Sequence, residues 1–366
     1  MIKEGKFGTH EAVSMLAITI IAKAFHSSPS AVADKVGTAG WYMTLTSSST
    51  AFVALVITFS LLGRYPGKNL MDTYIAIFGK FVGKLFALPL LIVLFFTAAV
   101  NLREFVDILN VYIFPESPPS YLILLFMTIV AALSFMGLEI IARYSKLVAY
   151  ILLTGYVALL ILSLRLYRVD YLFPILGHGL RNTVINGLQR SSAYGEIIIA
   201  GIIVNSLNGT AYAKRAAYIG LAIAGIIISS ALLAFSLVFP YFTSREITAP
   251  IYLMSSLIEY GKFIQRIEPL FFFIWNTSTV ISIAVYFYIS MLIYSHIFNI
   301  DDKRPVIIPL AVILVFLSLY PARMTQVTSG LVGILRDTGW IFFFVPPTLA
   351  FIVSLFKGKG GKSSVA

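Results

Sequence analysis

Apolar stretches long enough to cross a hydrocarbon core, about 20 residues each, recur along almost the whole chain with only short polar joints between them. Such a chain cannot fold as a water-soluble domain. Of its residues 59% are hydrophobic and 12% charged, about half the charge of an ordinary globular protein. Inside a bilayer every backbone amide must be satisfied by the protein itself, and apolar runs of this length do so as helices. The expected spans are 11–32, 40–62, 81–109, 120–138, 140–166, 190–208, 215–240, 267–297, 305–322 and 331–356. The expected fold is all-α and polytopic, with about ten transmembrane helices in one transmembrane domain over 1–366. No stretch is left for a soluble catalytic domain.

The segment Met1 to His10 carries Lys3 and Lys6 but no small-residue cleavage site follows the first apolar stretch. That stretch therefore reads as a retained helix rather than a signal peptide. The absence of cysteine removes disulfides, thiolate metal sites and cysteine nucleophiles. The net charge of +11 is spread over short inter-helix loops, so the expected electrostatic partner is the lipid bilayer with its anionic headgroups, not nucleic acid. More of these cations fall on the side that holds the termini, among them Lys6, Arg64, Lys68, Lys80, Lys84, Arg143 and Lys146. The positive-inside rule then favours cytoplasmic termini, with 357–366 as a basic tail.

The two halves of the chain correspond. Repeats of five spans occupy 11–168 and 190–356, joined by an extramembrane connector at 169–189. Each first span is interrupted by residues poor at continuing a helix: Ala24-Phe25-His26-Ser27-Ser28-Pro29 in one, Ser191-Ser192-Ala193-Tyr194-Gly195-Glu196 in the other. Each third span is long and follows a short amphipathic segment, Asn69 to Phe78 and Pro250 to Tyr260. Because five is odd, the second half enters from the opposite face. This is the inverted repeat of many secondary transporters, whose discontinuous helices meet at a midplane binding site.

Breaking a helix at depth exposes backbone groups that only protein or a water-filled cavity can cover. Pro29 removes a donor and crowds the carbonyl four residues back, which frees carbonyls near Phe25. His26, Ser27 and Ser28 add side-chain donors and acceptors at that level. Lys23 lies 12 residues beyond Glu11, about 18 Å along a helix, where an ammonium must face the protein interior and find a partner. Glu196 lies six residues beyond Arg190, about 9 Å in. It is a candidate for a proton-linked group, a partner to a cationic ligand, or an ion-pair partner of Lys23. Thr97, Asn101 and Asn276 are further polar candidates within spans, and Ser192, Tyr194 and Gly195 belong to the second interruption. Together with Ala24, Phe25, His26, Ser27 and Ser28 they form the expected ligand-binding set, with Lys23 and Glu196 as the charge pair or ion-coupling pair. Trp275 and Phe271 to Phe273 read as packing surface, and His178 as a turn residue with no second metal ligand near it. No phosphate loop, HExxH, GxSxG or dinucleotide loop is present. No metal or cofactor is expected, and the chain reads as a non-enzyme.

The chain resembles the B subunit of the spore germination receptors, a branch of the amino acid, polyamine and organocation transporter superfamily. The resemblance rests on Gly37-Thr38-Ala39-Gly40-Trp41, on Tyr65-Pro66-Gly67-Lys68 followed by Phe78-Gly79-Lys80-Phe81-Val82-Gly83-Lys84, and on Arg266-Ile267-Glu268-Pro269-Leu270-Phe271 through Trp275. It implies a LeuT-type fold and a germinant sensor in a bacterial spore inner membrane, working with A and C partner subunits. A small nutrient such as an amino acid would bind between the broken first and sixth spans. Members of the family usually have a Gly-rich first break, whereas here Phe25-His26-Ser27-Ser28-Pro29 is bulkier and more polar, which points to a differently shaped nutrient or to a paralogue with another job. The residues also admit a proton-coupled symporter of amino acids or amines, with Lys23 and Glu196 as the coupled pair. A water or ion channel is a third reading.

Overall fold

A computed structural model describes residues 5–261 and 267–357. Lys3, Arg266, Lys359, Lys362 and the tail beyond Lys357 lie outside the described residues. The chain runs through α1 (Thr9–Ile21), a 3-10 turn (Ala22–Phe25), α2 (Ser28–Val36), α3 (Gly40–Arg64), α4 (Leu70–Phe78), α5 (Lys80–Tyr112), α6 (Pro119–Met136) and α7 (Leu138–Leu162). It continues through α8 (Leu180–Gln189), a 3-10 segment (Arg190–Ile198), α9 (Ile199–Ile202), a 3-10 turn (Ile203–Ser206), α10 (Thr210–Val238), α11 (Tyr241–Ser244), α12 (Pro250–Ser256), α13 (Glu268–Phe298) and α14 (Arg304–Leu319). A π-helical turn (Gln326–Leu331) then leads into α15 (Val332–Phe356). Among the described residues seven helices are long and apolar enough to cross a membrane. The first and sixth spans fall outside that number because each is broken into short pieces, and α14 because it has only 16 residues.

Packing between the halves follows the symmetry of an inverted repeat. Span 1 (α1) packs on spans 7 (α10) and 5 (α7), and the interrupted part of span 6 packs on spans 2 (α3) and 10 (α15). Spans 3 and 8 (α5 and α13), 2 and 7, and 4 and 9 (α6 and α14) pair across the interface. The amphipathic segments form α4, whose Asn69 Oδ1 accepts the Asp72 amide at its N-cap, and α12. Helix α13 is buried nearly all round, whereas α6 and α7 expose Tyr121, Leu124, Leu147 and Ile151 to what must be hydrocarbon.

One boundary moves. Helix α8 starts at Leu180, inside the stretch expected to be connector, and its buried Gly187 faces α3. The polar residues Asn182, Asn186 and Gln189 hide it from a hydropathy reading. Glu196 lies 16 residues beyond the start of this helix, and Arg190, taken as an edge residue, is buried. The rest of the connector, 169–179, is held to the end of α2 and the turn after it: Thr38 Oγ1 donates to the Pro174 carbonyl, and the His178 ring contacts the Lys35 carbonyl and the Tyr241 hydroxyl.

Candidate functional site at the paired breaks

The first break is short. The chain leaves the 3-10 turn at His26, which is extended (φ −89°, ψ −158°), and α2 begins at once, with Pro29 in its first turn. Proline is pre-organised there, where no intrahelical donor is needed. The first span is interrupted here as expected, but Pro29 opens the second helix rather than crowding a carbonyl of the first. The new N-terminus needs an acceptor, and Glu104 from α5 supplies it. Its Oε1 accepts the Ser27 amide at 3.0 Å and the Ser27 hydroxyl, and Oε2 lies 3.5 Å from His26 Nδ1. An anion at a helix N-terminus also meets the helix dipole favourably. Arg103 and Asp107, one turn apart on α5, form a second buried ion pair (2.9 Å).

The sixth-span break is longer and of the opposite polarity. Nine residues, Arg190–Ile198, run as 3-10 helix, well beyond the usual three or four. Lys23 crosses from the first break to fill it: Nζ donates to the Ala193 carbonyl at 2.6 Å and to Glu196 Oε1 at 2.6 Å. Arg336 on α15 brings Nη1 to 3.7 Å from the same carboxylate oxygen, and Arg190 pairs with Asp337 at 3.1 Å. Gly195 is required here. A Cβ at that position would stand 2.3 Å from Phe343 Cδ2 of α15. Ser192 Oγ donates to the Arg336 carbonyl at 2.7 Å, tying the two segments together.

A small cavity of about 50 Å³ lies between the breaks, room for only one or two waters at about 30 Å³ each. Lys23, Arg190 and Arg336 provide cations; Ser28, Thr44, Ser47 and Tyr194 provide hydroxyls; Met43, Ile228, Ala231 and Leu232 form an apolar wall. Glu196 Oε2, Arg336 Nε and Nη1, and Tyr194 Oη are buried and make no hydrogen bond within the chain. A vestibule of about 330 Å³ opens on the face opposite the termini and reaches Ser27, Arg190 and Asp337. The cavity and the vestibule share Arg190 and Ala31, so the Arg190–Asp337 pair partitions them. A separate basin of about 400 Å³ on the terminus side is lined by other residues, including Asn69, Asn205 and His296.

Of the expected ligand set, Ala24, Ser28 and Tyr194 line the cavity beside Lys23. Phe25 turns away and stacks on Trp275 (4.8 Å between rings). His26 and Ser27 turn to Glu104 instead. Thr97 Oγ1 donates to Val93 O of its own helix, and Asn101 and Asn276 stand outside the cavity lining. The arrangement adds Glu104, Arg190, Arg336 and Asp337 to the polar network. Glu104 and Arg336 lie within the expected spans 81–109 and 331–356, where the cost of an ionised group in hydrocarbon singles them out as it does Lys23.

The spore germination protein family matches over residues 6–326. The chain belongs to that family. Among curated members it is 21% identical to spore germination protein B2 of Bacillus subtilis over 99% of each chain, and 23% identical to spore germination protein A2 of the same organism over 96% of each. Among solved structures it is similar to a Na⁺-coupled sialic acid symporter in a substrate-bound outward-open state (TM-score 0.68, 13% identity, 95% of this chain and 89% of that one). It is also similar to MhsT in complex with L-phenylalanine (0.61, 17%, 96% and 89%) and to Mhp1 of the nucleobase-cation-symport-1 family (0.59, 14%, 91% and 76%). The fold of this germination protein is thus LeuT-type, with a five-plus-five inverted repeat and discontinuous spans 1 and 6. Its role is nutrient sensing or transport in a membrane.

Proposed function

We propose that this protein is the membrane subunit of a germinant receptor, and that it binds a small amino acid-like nutrient in the cavity between the broken spans. The observation that carries the reading is the cavity between the breaks, lined by Arg336 and Tyr194, whose Nε and Oη are buried without a hydrogen bond, since buried polar groups normally have partners. Lys23, Arg336 and Glu196 together carry one excess positive charge, which suits an anionic group on the ligand. The cavity is smaller than an amino acid, so binding requires the Arg190–Asp337 partition to part toward the vestibule. With cytoplasmic termini, that vestibule faces outward in the spore inner membrane. Ligand binding then favours one arrangement of the two repeats, and A and C partner subunits read the change. The reading assigns no catalytic step to the chain.

The symporters among its structural relatives favour a second reading, a proton-coupled amino acid or amine transporter in which the same site alternates between the faces. Thermal-shift screening of the purified protein against amino acids, sugars and nucleosides tests both, because a ligand of the folded state raises Tm. A shift lost in Glu196→Gln and Arg336→Gln, with no flux in proteoliposomes, supports the receptor; gradient-driven uptake of the same compound supports the transporter. No shift for any compound, in a folded sample, contradicts a ligand site within this subunit.

A further inference from the structure

Lys23 is held the way a bound ligand would be. Its ammonium crosses between helices to a backbone carbonyl and a carboxylate, Ala193 O and Glu196 Oε1, both at 2.6 Å. Both acceptors belong to the 3-10 segment of the sixth span, away from water, and the Lys23 and Glu196 side chains are 4% and 1% exposed. A charge-assisted pair of acceptors at this spacing recognises a primary ammonium as such, whatever covalent arm delivers it. The arm of Lys23 beyond Cβ is a propylammonium unit, and it runs along the cavity that Ala24, Tyr194 and Arg336 also line.

We infer that the paired breaks contain an ammonium subsite, formed by the Ala193 carbonyl and the Glu196 carboxylate, which the chain fills with its own Lys23. The inference rests on the reading of this cavity as the ligand site. It divides ligands into two chemical classes. A compound with an anionic group and no amine leaves Lys23 in place and addresses Arg336, whose Nε and Nη1 make no hydrogen bond. A compound with a primary amine competes with Lys23 for Glu196. Lys23 is then a built-in occupant whose displacement is part of admitting an amine.

The test is chemical rescue, read as thermal stability of the full-length protein and needing no nutrient. Lys23→Ala removes the propylammonium arm, which lines the cavity, and leaves Glu196 without its ammonium at the end of the space the arm vacates. Millimolar n-propylammonium is expected to raise the Tm of Lys23→Ala by about 2 °C or more. Tetramethylammonium, which has the charge but no N–H donor, and n-propanol, which has the shape but no charge, are expected to raise it by less than half as much. The effect disappears in Lys23→Ala with Glu196→Gln and is absent from Lys23→Met, where the space is filled. If Lys23→Ala accumulates only poorly, recovery of folded protein on solubilisation in n-propylammonium is the same readout. Equal rescue by tetramethylammonium, rescue that survives Glu196→Gln, or no rescue overturns the subsite. Rescue in a protein that binds no nutrient leaves the subsite standing and removes the receptor reading; nutrient binding without rescue does the reverse.

Discussion

The two broken spans solve the same backbone problem with opposite charges. At the first break a new helix N-terminus presents donors, and Glu104 from α5 covers them through Ser27. At the sixth-span break a run of 3-10 turns presents carbonyls, and the Lys23 ammonium covers Ala193 O. The first solution is complete at the Ser27 amide and hydroxyl. The second leaves Glu196 Oε2, and Arg336 Nε beside a cavity, without hydrogen bonds. A break whose donors are capped from a neighbouring helix is a fixed joint, whereas a break with orphaned charges at a cavity is a place to bind. The difference assigns support to α5 and recognition to the sixth span, although a buried carboxylate, Glu104 or Glu196, stands at each break.

The comparison breaks first at Glu104. Glu104→Ala leaves the Ser27 donors uncovered and His26 without its carboxylate, and is expected to cost about 3–5 kcal/mol in thermal unfolding, while Glu104→Gln, which keeps an acceptor, loses about 1–2 kcal/mol. Equal stability of Glu104→Ala and the parent would remove the capping role. At the other break, a double-mutant cycle of Lys23→Met and Glu196→Gln is expected to give a coupling of about 1–3 kcal/mol, the double variant being more stable than the sum of the singles predicts. Additive effects would mean the pair is not the unit that closes the sixth span.

Packing sharpens the contrast further. Gly195→Ala drives a Cβ against Phe343 and is expected to cost about 1–3 kcal/mol, with Phe343→Leu restoring part of it. No such restoration would locate the strain elsewhere. The smallest effect is expected at Thr97, whose hydroxyl serves only its own helix. Thr97→Val should change stability by less than about 0.5 kcal/mol and leave nutrient binding unaltered. A binding loss there would extend the site into α5.

Much of this architecture is legible in the sequence because hydrocarbon tolerates so few solutions. The apolar runs, the two interruptions and the depth of Lys23 and Glu196 all follow from the cost of unsatisfied polar groups. What escapes hydropathy is helix α8 ahead of the sixth-span break, where Asn182, Asn186 and Gln189 make a helix that buries only Thr183 and Gly187 look like a loop. Side-chain direction escapes as well: nothing in spacing says that Phe25 turns to Trp275 while Ala24 faces the cavity. Pro29 shows the same limit, since a proline that interrupts a long apolar run and one that opens a new helix read alike until His26, three residues before it, is seen to be extended.

The central claim is that the two breaks form one ligand site. Hydrogen exchange followed by mass spectrometry, with and without the compound that shifts Tm most, tests it directly. The account predicts that 23–30 and 190–198 gain protection together, and that both gains vanish in Glu196→Gln. Protection at one break alone, or at neither while the compound still binds, would contradict it.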